Sequence, residues 1–312
     1  MIIERISLYE NREDANLTAY VLDDSPEMLA GKTRPAIIIC PGGAYFNCSD
    51  REAEPIALRF ASMGYHAFVL RYSTYTEGKS VIPDLSKPLQ VKPERNYPVQ
   101  MQEIGMAMQI VKQHAAKWLV DTSRIAICGF SAGAHNCAMY ATNWHKPIIT
   151  DYLGCNAEDI RPAAVILGYT LSDYVYMKEA STEDFMAKVF FDGSNTAFMG
   201  TANASDELLR AVSPARNVSE HTPPTFLWAT AADNLVPVQH TIRMAHALAD
   251  HKVPFELHIF ECGGHGLSLA TQATASTKTQ VNADAAKWVS MVDQWLLKRF
   301  SLELKEKEEF PH

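Results

Sequence analysis

Among six cysteines the chain holds no C-x-x-C pair. Its one C-x-x-H pair, Cys262 and His265, has no second pair to complete a four-ligand zinc site, so no metal is expected. Neither G-x-G-x-x-G nor the lysine-serine ending of a P-loop occurs, which argues against a bound nucleotide; no organic cofactor is expected either. No run reaches the about 18 consecutive apolar residues of a membrane span. The opening Met-Ile-Ile-Glu-Arg-Ile lacks the basic segment, apolar stretch and small-residue cleavage site of a secretory leader. With free thiols, this predicts a cytoplasmic location. A basic balance is also missing. The formal net charge of −8 weighs against nucleic acid or an anionic membrane as partner, since both demand a basic face. What is left is a small molecule, and a homo-oligomer is compatible with the same composition.

What is present is a chain of 312 residues, 47% hydrophobic and 21% charged, sufficient for a large core without metals or disulfides. Cys40 and Cys128 end apolar runs, where a reduced cysteine packs as a small hydrophobe. Short β-rich runs alternate with longer helical patterns, which predicts a mostly parallel sheet flanked by helices. Strands are expected at Ile2–Tyr9, Leu17–Leu22, Ala36–Cys40, Ala67–Arg71, Ile125–Cys128, Ala163–Leu167, Thr225–Thr230 and Phe255–Phe260, eight in all. Helical spacing covers Arg51–Met63, Pro98–Trp118, Ala132–Trp144 and Val238–His251. A closing helix over Asn282–Phe300 puts Trp288, Val289, Val292, Trp295 and Leu296 on one core-facing side. The first two strands have no helix between them, so they should pair as an antiparallel hairpin.

The whole of 1–312 reads as one α/β domain with three irregular parts. Residues 73–98, rich in proline and polar side chains, predict a long loop over the sheet edge. Residues 172–212 mix helical patterning with Gly193 and Gly200 and predict a small cap. The charged tail over 303–312 is expected to fray.

The segment Arg124–Tyr140 reads as apolar strand, then G-F-S-A-G, then helix. A bare G-x-S-x-G is common, but this flanking pattern is that of a sharp strand-to-helix turn with one serine standing above the sheet. Small residues are needed two positions either side of it, and these are Gly129 and Gly133. Ser131 is the candidate nucleophile. The following helix aims N–H groups and its positive dipole end at the site, so the Ala132 amide could receive charge on a substrate oxygen. The alternative is an ordinary βα turn in which Ser131 only caps a helix.

Ala36–Phe46, A-I-I-I-C-P-G-G-A-Y-F, is a strand running into a glycine pair. Such a loop can turn backbone N–H groups toward a ligand. Gly43 and Ala44 are the candidate donors beside Ala132, and Tyr45 either walls the pocket or packs under the loop. His265, in F-E-C-G-G-H-G-L, follows the last strand on a glycine-lined loop and is the candidate base. His135 reads as structural, and His240, His246 and His251 as helix-surface residues. Asp233, in T-A-A-D-N-L-V-P after the preceding strand, is the candidate acid that would hold the imidazole's tautomer. Asp173 competes with it, and Asp233 could instead simply cap a helix. Nucleophile, acid and base thus each follow their own predicted strand, in the order Ser131, Asp233, His265.

With G-F-S-A-G-A-H, P-G-G-A-Y, D-N-L-V-P and G-G-H-G together, the chain resembles an α/β-hydrolase of the esterase and lipase superfamily. It is most similar to small bacterial carbohydrate acetyl esterase-like (acetylxylan esterase-like) members, with hormone-sensitive-lipase-type esterases as relatives. The likeness runs from about Ala36 to Leu269 and includes G-Y-H-A-F-V-L-R-Y (Gly64–Tyr72) and Tyr97-Pro98. It implies a Ser131, Asp233 and His265 triad, with an oxyanion hole from the amides of Gly43, Ala44 and Ala132. One departure is P-G-G-A where many relatives carry H-G-G-G. The implied chemistry is hydrolysis of short acyl esters through an acyl-enzyme, and a sugar or xylan-derived alcohol is implied by the likeness alone. An arylformamidase and a silent binding protein on the same scaffold are the alternatives; a prolyl-oligopeptidase-type peptidase needs a large extra domain.

Overall fold

Apolar runs that are buried on both faces make the middle of a sheet, and here they build its centre. Every residue of strands β3 (Arg34–Cys40), β6 (Ala164–Gly168) and β7 (Thr225–Thr230) is buried. The outer strands β1 (Ile2–Tyr9) and β8 (Phe255–Phe260) keep exposed positions, as edges do. Between them lie β2 (Arg12–Val21), β4 (His66–Arg71) and β5 (Val120–Phe130). This computed structural model describes residues 1–28, 30–180, 185–302 and 304.

The eight strands form one sheet in the order β1-β2-β4-β3-β5-β6-β7-β8. β1 and β2 pair antiparallel, as do β2 and β4 with Leu17 opposite Leu70; every later pairing is parallel. The helices are α1 (Glu54–Ala61), α2 (Val99–Gln113), α3 (Ala115–Trp118), α4 (Ala132–Asn143) and α5 (Pro147–Leu153). They continue with α6 (Tyr174–Glu179), α7 (Phe185–Met199), α8 (Asp206–Ala211), α9 (Gln239–Asp250) and α10 (Trp288–Phe300).

Alternation along each strand divides the core in two. Ile38, Phe68, Ile127 and Leu227 face one layer, where they meet Ile104 and Met108 of α2, Cys137 of α4 and Met244 of α9. Ile37, Ile39, Cys128 and Trp228 face the other, against Ile56 and Phe60 of α1 and Trp288, Val292 and Trp295 of α10. The five residues expected on one side of the closing helix are all buried there.

Several boundaries differ from expectation. The helical run over 98–118 breaks at His114, whose backbone leaves the helical region, giving α2 and α3. The run from Arg51 begins as a single tight turn, Asp50–Glu52, and α1 starts only after Ala53. The closing segment begins as a tight turn, Ala285–Lys287, with the Asn282 side-chain oxygen accepting the N–H groups of Asp284 and Ala285, and passes into α10 at Trp288. β5 runs longer than read, up to the residue before Ser131.

The loop over 73–98 holds only one short helical turn, Pro93–Arg95, and a cis Tyr97–Pro98 bond. The segment over 172–212 carries α6, α7 and α8. The tail expected to fray lies, Leu304 apart, outside the described residues. No helix among the described residues is long and apolar enough to cross a membrane.

Candidate active site

The turn between β5 and α4 carries Ser131 at φ 51° and ψ −121°, a conformation rare for a residue with a side chain. Such strain concentrates where the surrounding structure holds it in place. Here Ser131 donates its N–H to the Gly168 carbonyl at 3.0 Å, across to the neighbouring strand. A side-chain carbon at Gly129 would collide with the Gly133 carbonyl, and one at Gly133 with the Cys40 carbonyl. The small residues of the motif are thus demanded by backbone packed on backbone.

Two further strand ends bring the partners. Ser131 Oγ lies 2.7 Å from His265 Nε2, and His265 Nδ1 lies 2.7 Å from Asp233 Oδ2. Asp233, with its side chain almost wholly buried, accepts the N–H groups of Leu235 at 3.0 Å and Val236 at 2.9 Å on its other oxygen. Those two bonds fix the carboxylate and leave Oδ2 free for the imidazole. The His265 loop is anchored by the Thr230 hydroxyl on the Gly263 carbonyl and the Asn282 amide on the Cys262 carbonyl, both at 2.8 Å. The edge of the His265 ring meets Tyr169, centroids 5.1 Å apart. The competitor is occupied elsewhere. Asp173 caps α6 through the Tyr176 N–H and takes Arg216 at 2.8 Å and Arg243 at 3.6 Å. Burial raises its carboxyl, but Arg216, the Tyr176 N–H and Arg243 outweigh that and hold it below the ordinary range.

The loop after β3 curls over the serine with Gly43, Ala44 and Tyr45 all at positive φ. Among the described residues the amides of Gly43 and Ala44 have no protein acceptor. The Ala132 N–H, in the first turn of α4, has no carbonyl four residues back within the helix. Tyr45 is 1% exposed and packs under the loop, stacked on Phe198 at 4.3 Å. Its hydroxyl bonds His135 Nδ1 at 2.6 Å, while His135 Nε2 donates to the Val212 carbonyl at 2.8 Å, an arrangement only one neutral tautomer satisfies. Burial pulls His135 down to about 4. Ser194 of α7 donates to the Ala44 carbonyl at 3.0 Å.

A cavity of about 260 Å³ opens over Ser131 and His265. Leu171, Tyr174, Phe191, Leu235 and Val236 make its apolar wall. That volume falls just short of the roughly 300–1,000 Å³ of sites for drug-sized ligands.

His246 on α9 and His251 just past its end are exposed as expected, but His240 is not: it is fully buried with Nδ1 facing the N–H groups of Ser172 and Asp173. Its place at the start of α9, under the segment after β6, explains the difference. Sequence reasoning also missed Glu52, buried beneath the glycine loop, and Tyr169. Glu52 stands among the charged residues Asp50, Arg51 and Glu54, and nothing in their spacing marks one of them as buried.

The BD-FAE family model matches residues 25–248. The chain belongs to the BD-FAE family. Its sheet and flanking helices are those of the α/β-hydrolase fold. This BD-FAE member is 27% identical to the carboxylesterase Cest-2923 from Lactobacillus plantarum WCFS1, with a TM-score of 0.77, covering 98% of this chain and 100% of that one. An acetyl ester-xyloside bifunctional hydrolase from Caldicellulosiruptor lactoaceticus is 29% identical, with a TM-score of 0.71 and coverage of 95% and 96%. Endo-1,4-beta-xylanase B of Butyrivibrio fibrisolvens is 31% identical over 82% of this chain, which is 35% of that protein's length. The chain likewise spans about half the length of the next curated relatives.

Proposed function

We propose that the chain is a serine carboxylesterase that removes short acyl groups, acetyl foremost, from small esters such as acetylated sugars or xylo-oligosaccharides. The observation that carries this is the unbroken Ser131, His265, Asp233 chain at 2.7 Å and 2.7 Å. The small apolar cavity beside it supports a short acyl group. Similarity to a carboxylesterase and to an acetyl ester-xyloside hydrolase supports the ester and the sugar.

In this reading Ser131 Oγ bonds to the acyl carbon as its proton passes to His265 Nε2, and the carbonyl electron pair moves onto oxygen. Gly43, Ala44 and Ala132 amides receive that charge; losing one such donor costs about 3–4 kcal/mol. The adduct collapses, the C–O bond to the alcohol breaks, and His265 returns the proton to the departing oxygen. Water then attacks the acyl-enzyme, giving its proton to His265, and the acid leaves as Ser131 recovers its hydrogen. Asp233 orients the ring and steadies the imidazolium throughout. The chain needs no metal or organic cofactor for these steps. Six cysteines without a disulfide support action in the reducing cytoplasm.

Hydrolysis of p-nitrophenyl acetate, butyrate and octanoate by the wild type and Ser131→Ala tests this. Preference for acetate, with a fall of about 10³-fold or more in the variant, is expected. An inactive wild type, or an equally active variant, overturns it, and N-formyl aryl amides become the next substrates.

A further inference from the structure

We propose that Glu52 is the positioning residue of the glycine loop, one carboxylate that sets the loop's amides and ties them to the loop of the base; the inference rests on the esterase reading above. Glu52 is 3% exposed. One of its oxygens accepts the Gly42 N–H at 2.7 Å, and the other accepts the Tyr169 hydroxyl. The Tyr169 oxygen in turn accepts the Ser268 N–H at 3.0 Å, three residues beyond His265. The loop after β3, the segment after β6 and the loop after β8 are therefore joined through two side chains, Glu52 and Tyr169.

The effect on the amides follows from peptide planarity. The Gly43 N–H belongs to the peptide joining Gly42 to Gly43. On one side Glu52 holds the Gly42 N–H. On the other, the Gly43 carbonyl accepts the N–H groups of Phe46 at 2.9 Å and Asn47 at 3.3 Å. The carbonyl of that same peptide, Gly42 C=O, accepts the Ser49 N–H at 2.8 Å, and with the peptides on both sides also held the direction of the Gly43 N–H is set before any substrate arrives. Stabilisation of a developing oxyanion depends on donors that need no reorganisation.

The site demands a carboxylate because two donors face it. Burial, then the charge of Glu52, push the Tyr169 hydroxyl well above its ordinary value, so it remains a donor. A glutamine offers one acceptor. With its NH₂ toward Gly42, two donors meet. With its NH₂ toward Tyr169, the phenol hydrogen loses its acceptor. A buried polar group left unpaired is costly, so the loop would shift to relieve it.

The test compares Glu52→Gln and Tyr169→Phe with the wild type and Ser131→Ala. It reads kcat and KM on p-nitrophenyl acetate, thermal melting, and the rate of inactivation by diethyl p-nitrophenyl phosphate. That reagent places a phosphoryl oxygen where the acyl oxygen would sit. For Glu52→Gln we expect a cooperative melt, KM within about threefold, and kcat and inactivation rate falling together by about 10–100-fold. Tyr169→Phe keeps the Gly42 bond and should fall by less, about 3–10-fold. Wild-type kcat in Glu52→Gln, an effect on KM alone, or lost turnover with unchanged inactivation overturns the inference. If Glu52→Gln does not fold, Tyr169→Phe decides by the same split, and failure of both to fold marks a structural role and overturns it. A wild type whose hydrolysis does not need Ser131 overturns the esterase reading and this inference with it. A Ser131-dependent wild type beside an unimpaired Glu52→Gln overturns this inference alone.

Discussion

Asp173 and Asp233 each follow one of two adjacent strands, β6 and β7, yet only Asp233 turns its carboxylate toward His265. The difference lies in the partners: two backbone N–H groups orient Asp233, whereas Arg216 and Arg243 draw Asp173 away.

Asp233→Asn should therefore leave the fold intact and lower kcat by about 10³–10⁴-fold, because the amide cannot accept from the imidazole as the carboxylate does. Asp173→Asn should keep kcat within a few-fold and instead cost about 1–3 kcal/mol of stability. Steady-state kinetics and urea melts on both variants check this, and the reverse pattern would show that the acid is Asp173.

Gly133→Ala tests the packing of the nucleophile turn. Alanine ordinarily favours a helix over glycine by about 1 kcal/mol. Here its methyl meets the Cys40 carbonyl, so the variant should lose about 1–3 kcal/mol or more, and esterase activity with it. A variant that melts higher than wild type would show that the turn has room to spare.

Ser194→Ala removes the one hydroxyl from α7 that holds the Ala44 carbonyl. A loss of about 1 kcal/mol of stability is expected, with kcat lower by several-fold because the Ala44 amide belongs to the same loop. Unchanged kinetics would mean that the loop keeps its shape without α7.

Acid should unfold this protein early. Burial lowers His66, His135 and His240 from an ordinary 6.5 to about 4 each. The unfolded chain then binds those protons first as pH falls. The stability they represent is complete above about pH 6.5 and is lost progressively toward pH 4, on the order of 2–3 kcal/mol per histidine. Glu103 opposes the trend at the acid end, since burial raises it above 4.5 and the folded state takes its proton first. Urea midpoints at pH 7, 6 and 5 should fall steadily; a flat profile would refute the account.

The sheet was readable because strands buried on both faces must be apolar throughout, and β7 has the bounds its sequence predicts. Ser131, Asp233 and His265 were readable as candidates for a related reason: each stands where an apolar run gives way to a glycine or polar loop. Glu52, Tyr169 and His240 were not. A polar side chain is buried only because partners from distant segments meet it, Gly42 and Tyr169 for Glu52 and the Ser172 and Asp173 amides for His240. Hydrophobic period carries no record of those meetings.

The contact of α7 with the glycine loop has a consequence for how such enzymes diversify. Ser194 bonds the Ala44 carbonyl, and Phe198 stacks on Tyr45 directly beneath it. A segment that varies to admit new alcohols would therefore also press on the donors that receive charge. Grafting residues 172–212 from a relative should transfer turnover along with preference, so that specificity and speed are inherited as one trait.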